Sequence, residues 1–81
     1  MPYIKIDRRV ELYWNGSVPE NCGELNYLIT KTIISYWEEH KNYQGINDIV
    51  GALTCAKDEF YRRVAVPYEN EKIKTNGDVY E

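Results

Sequence analysis

The stretch GELNYLITKTIISYWEEH, residues 23–40, reads as one amphipathic helix. Leu25, Leu28, Ile29, Thr32, Ile33, Tyr36 and Trp37 recur at spacings of three and four, which lays them along one face of a helix. Lys31, Ser35, Glu38 and Glu39 fall largely off that face. Tyr27 and Ile34 point elsewhere, so this helix carries a second adhesive surface. Asn21 and Glu24 have the N-cap and N3 spacing of a capping box, in which each side chain reaches a backbone N–H that the helix start leaves unpaired. The helix is expected to end near His40, before the turn Lys41-Asn42-Tyr43-Gln44-Gly45.

Downstream the pattern repeats. Ile46, Ile49, Val50, Leu53, Ala56, Phe60 and Val64 form a helical stripe, and a stop is expected at Val66, because the residue before Pro67 is pushed out of helical geometry. Gly51, Ala52, Cys55 and Ala56 make a strip of small residues that reads as a close helix crossing. Pro67 then suits the first position of a short helix to Thr75, with Asn76-Gly77 as its C-terminal stop. Asp78-Val79-Tyr80 is expected to lie back as a strand beside Tyr3-Ile4. Upstream, Tyr3, Ile4 and Ile6 suggest an extended arm. From Asp7, as a cap, to Trp14 the pattern fits a brief helix or, through Val10, Leu12 and Trp14, a strand; Asn15-Gly16 ends either.

The fold class expected is mainly α: an antiparallel two-helix core, a short C-terminal helix and extended terminal arms, in one small domain over residues 1–81. The antiparallel arrangement follows from a connection of about five residues. Leu28, Ile33, Trp37, Ile49, Leu53 and Phe60 are the expected core.

A chain of 81 residues draws little net stability from its own core. Cys22 and Cys55 allow one disulfide at most. MPYIKIDRRV has no apolar signal region, and no run is long enough to span a bilayer, so free, mostly buried thiols in a reducing cytoplasm are expected. His40, Cys22 and Cys55 show no metal-ligand spacing, and neither metal nor cofactor is expected. Self-association remains as the stabiliser, and the chain is expected to form a homo-oligomer. The net charge of −3 argues against a general duplex nucleic-acid binder. Eight tyrosines and two tryptophans suit interfaces and ring stacking, although small cores also use large rings to gain buried area.

No phosphate loop, nucleophile elbow or zinc signature is present, and adjacent carboxylates such as Asp58-Glu59 diverge on a helix, so no enzyme is expected. The group with chemical interest is Lys57, Tyr61, Arg62, Arg63 and Tyr68. Guanidinium groups grip phosphates bidentately and tyrosine rings stack on bases, so this group suits a nucleotide-derived anion. The plainer reading is a helix end whose basic residues complement the dipole and pair with Asp58 and Glu59. Asn26 and Tyr27, at the start of the first long helix, are further ligand-binding candidates, since free N–H groups there favour an anion.

GELNYLIT, YQGINDIVGALTCAKDEFYRRVAVPYE, KIKTNGDVYE and the opening MPYIK resemble an uncharacterised family of short proteins from tailed phages, bacteria and archaea. Residues 8–19 depart from that family's longer helical segment. The resemblance implies a phage accessory protein acting in the host cytoplasm. By analogy with such proteins it implies a non-catalytic sponge that sequesters a cyclic or other nucleotide-derived immune signal. The alternative is a protein–protein inhibitor or adaptor with no small-molecule ligand.

Overall fold

The computed structural model of the chain describes residues 4–80. α1 (Ile6–Arg9) runs into a π-helical turn (Val10–Trp14) and is followed by α2 (Cys22–Glu39) and α3 (Tyr43–Phe60). A second π-helical turn (Tyr61–Ala65) leads into α4 (Val66–Asn76). The fold is mainly α, with no strand among the described residues. The chain divides into two compact units, Met1–Ile46 and Asn47–Glu81.

In the N-terminal unit the helical reading of residues 6–14 is the one adopted. Asp7 is not its cap. The helix starts two residues earlier, with Lys5 in extended backbone and no side-chain cap bond, and Asp7 Oδ1 accepts instead from the Arg8 N–H at 2.9 Å. The π turn closes at Asn15, and Gly16 follows at φ +71°, a left-handed conformation that glycine adopts without a Cβ penalty. This turn packs on α2, and its Leu12, 1% exposed, is the buried hydrophobic residue of the described chain.

α2 begins as its cap requires: Asn21 Oδ1 accepts the Glu24 N–H at 2.9 Å. The reciprocal half of the expected box is absent, because the Glu24 carboxylate accepts from the Glu20 N–H at 3.0 Å and from Arg8. Leu28, Ile33 and Trp37 are half-buried along this helix.

The link between α2 and α3 is shorter than expected. Asn42 Oδ1 accepts the Gly45 N–H at 2.8 Å, which is N-cap to N3 geometry, so α3 starts at Tyr43 and only residues 40–42 remain as the link. Gly45 is buried in that first turn: a Cβ there would stand 1.9 Å from the His40 carbonyl oxygen. His40 itself stacks on the Tyr36 ring at 4.0 Å between centroids.

In the C-terminal unit the expected stop at Val66 does not occur. Helical backbone continues from α3 through the π turn into α4. Pro67 has no N–H and its ring crowds the carbonyl one turn back. The turn ahead of it widens: the Val66 N–H bonds Tyr61 O, five residues back, where an α-helix would bond four back. Tyr61 Oη donates to Glu69 Oε1 at 2.9 Å across the proline. Gly77, at φ +86°, ends α4, and its N–H bonds Ile73 O at 2.8 Å. Asp78–Tyr80 is a turn closed by the Tyr80 N–H on Asp78 Oδ1 at 2.8 Å, which corrects the strand expected there. Tyr3, named as its neighbour, lies outside the described residues.

Two expected core residues are corrected as well. Ile49 is half-buried, but Leu53 is 42% and Phe60 63% exposed. No residue described in 47–80 is buried. Gly51 has no atom within 4 Å of where its Cβ would stand, so within this chain the small-residue strip makes no close crossing there.

Candidate functional site

Lys57, Tyr61, Arg62, Arg63 and Tyr68 lie along the helix of the C-terminal unit, and the π turn itself is the sequence YRRVA. Helical turns of this kind recur at functional sites. Arg62 and Arg63 both bond one carboxylate, that of Glu59, from three and four residues away. Lys57 Nζ stands 3.8 Å from Asp58 Oδ1. All three cations are largely in solvent, at 77% for Lys57, 69% for Arg62 and 71% for Arg63. Such exposed pairs exchange readily for another anion, since each is worth at most about 1 kcal/mol.

Tyr61 is committed to Glu69. The hydrogen bond, together with the negative charge of that carboxylate and some desolvation, pushes the Tyr61 phenol above its ordinary value. An eight-residue separation turns two side chains about 80° apart around a regular α-helix. The extra residue in the π turn returns Glu69 to the line of Tyr61. Tyr68 lines a groove of about 360 Å³ with Glu69, Lys72, Ile73 and Tyr80, and Lys72 Nζ lies 5.5 Å from its ring centre.

Asn26 and Tyr27 belong to the N-terminal unit. Asn26 borders a largely apolar depression of about 480 Å³ with Cys22, Leu25 and Ile29. Tyr27 carries the Arg9 guanidinium over its ring at 5.9 Å. Cys22 and Cys55 are free and exposed, where buried thiols were expected. Among the described residues, no cluster of three or more His, Cys, Asp or Glu side chains is placed to hold a metal ion. No helix among them is long and apolar enough to cross a membrane.

The most connected ionic group went unread in the sequence. Arg8 reaches Glu24 through two bonds, Nε to Oε2 at 3.1 Å and Nη2 to Oε1 at 2.8 Å. Nη2 also donates to Val18 O at 3.1 Å and to Glu20 Oε1 at 3.3 Å, and Nη1 lies 3.8 Å from Glu11. The Arg8 and Glu24 side chains are only 20% and 14% exposed. The Arg8 hydrogen bond, the Glu20 N–H and the Arg8 charge hold the Glu24 carboxyl below its ordinary value. With three carboxylates around one guanidinium, this group ties the first helix to α2 and does not attract an anion. Sixteen residues separate Arg8 from Glu24, so no local spacing could reveal the pair. Glu69 was the other residue missed, as the partner of Tyr61, whereas Glu59 stands where the dipole reading put it, paired with Arg62 and Arg63.

A family model described as a domain of unknown function, DUF6899, matches residues 1–79. No curated protein and no solved structure matches the chain.

Proposed function

We propose, for a chain that belongs to the DUF6899 family of unknown function, a non-catalytic binding role performed by a homo-oligomer. One observation carries this reading. Among the described residues, twenty large hydrophobic side chains are exposed in the single chain against one that is buried, Leu12. An isolated helix in water is marginal, and its stability in proteins comes from covering its apolar face. A second copy is the partner every such chain has at hand. Light scattering at tens of micromolar protein is expected to give at least twice the 9.6 kDa of one chain. A mass of one chain would overturn the reading.

A second observation favours an anionic ligand. Two guanidiniums share the single Glu59 carboxylate, so the Arg62–Arg63 pair keeps an excess positive charge that a phosphate group would complete. Tyr61 and Tyr68 flank the pair along the helix and offer rings for a base. The immune-signal identity of the nucleotide and the phage-type setting rest on the resemblance alone. Thermal shift and mass spectrometry with a panel of cyclic and linear nucleotides test this directly. Arg62→Ala is expected to weaken binding roughly ten- to a hundred-fold with little change in melting temperature. No shift with any nucleotide, together with retention of a protein partner, would favour the adaptor reading.

A further inference from the structure

We infer that the apolar face of α3, extended by the π turn, pairs antiparallel with the same face of a second copy; this rests on the self-association proposed above. The register comes from the helix itself. Ile46, Ile49, Leu53, Ala56 and Phe60 recur at alternating spacings of three and four, the pattern of a two-helix seam. Continued as an unbroken α-helix, that pattern would next present Arg63. The π turn adds one residue to that turn, and the seam is handed to Val64 and then Tyr68.

With the seam so extended, an antiparallel second copy meets it in matched layers. Leu53 faces Ala56, Ile49 faces Phe60 and Ile46 faces Val64, and each layer recurs in reverse because the two copies are identical. Large residues oppose small or medium ones, as interdigitation requires. Along the edges Lys57 falls opposite Val50, and Glu59 opposite Ala52, so like charges do not meet.

The area is also of the right size. Ile46, Val50, Leu53, Phe60, Val64 and Tyr68 are 42–63% exposed in the single chain. Together they leave on the order of 600 Å² in solvent, and a stable interface covers ~800 Å² per partner, with edge residues supplying the rest. Phe60 is the central case: at 63% exposure it is ill placed for a folded monomer and well placed for a seam.

The test uses the full chain with Cys22→Ser and Cys55→Ser as background. One batch carries Leu53→Cys, another Ala56→Cys, and the two are mixed and oxidised. Disulfide-linked heterodimers of the two variants are expected to dominate. Phe60→Glu is expected to raise the dissociation constant about 100-fold, read by light scattering on dilution. If the chain is oligomeric but Leu53→Cys links chiefly to itself, or neither variant cross-links, the antiparallel seam is overturned while self-association stands. If the unmutated chain is a monomer, both fall.

Discussion

Gly45 and Gly51 sit in the same helix under opposite constraints. A Cβ at Gly45 would collide with the His40 carbonyl oxygen at 1.9 Å, and backbone cannot rotate away as a side chain can. Gly45→Ala is therefore expected to destabilise the chain by at least ~2 kcal/mol. A Cβ at Gly51 meets nothing, so Gly51→Ala is expected to stabilise by about 1 kcal/mol, the ordinary helix-interior difference. Urea midpoints of the two variants check both signs. Glu24 supports a pH prediction. Its carboxyl is held below the ordinary value, so it contributes stability above its unfolded pKa and loses it as pH falls through the folded one. As pH falls below the ordinary carboxylate range the native chain should lose stability, and Glu24→Gln should start lower and fall less steeply. Equal slopes for the two proteins would assign the acid sensitivity elsewhere. The Asn21 cap was legible in the sequence because it acts over three residues. The Glu24 role was half legible, since its partner Arg8 is distant in the chain.

The element that departs furthest from local rules is the helix through Pro67. A proline normally ends a helix, and the residue before it disfavours helical backbone. Here a π turn absorbs the misfit and Tyr61–Glu69 braces it from outside. Pro67→Ala restores an N–H and permits ordinary α spacing, so the helix is expected to gain roughly 1–3 kcal/mol. The same change would rotate Val64 and Tyr68 away from the line of Phe60. More stable helix with weaker association is the expected pairing of results, from circular dichroism melts and light scattering on one sample. Glu69→Gln should bring the Tyr61 phenol back toward its ordinary value in an absorbance titration. The reverse, a phenol unmoved by Glu69→Gln, would mean that the brace does not form in solution.

For the molecule as a whole, exposure is the governing quantity. A 9.6 kDa chain with Leu12 as its buried hydrophobic residue among those described has little with which to offset its conformational entropy. Stability supplied by another copy depends on concentration through mass action. The melting temperature is therefore expected to rise with protein concentration across a hundred-fold range. A constant melting temperature would show that the chain covers its apolar faces without a second copy. The basic cluster answers to a different assay, because exposed pairs such as Arg62–Glu59 add little to stability, so the proposed anion site is expected to respond in binding and not in melting.

Short-range patterns were enough to predict the helical class, the limits of α2 to within a residue and the Gly77 stop. Periodicity, caps and left-handed glycine all act within one or two turns of chain. The Asn42 cap was also local, and was passed over because Tyr43 and Gln44 lie outside the apolar stripe. Other features needed the folded chain. The Arg8–Glu24 bond spans sixteen residues and the Tyr61–Glu69 bond eight, across a proline that alone predicts a break. Burial of Leu12, and not of Leu53 or Phe60, depends on which faces meet. An amphipathic stripe reports that a helix wants cover, but carries no record of what provides it. Whether Arg62 and Arg63 stand beside Glu59 alone or hold a ligand is likewise set by neighbours in space, since the same three residues at the same spacing serve either purpose.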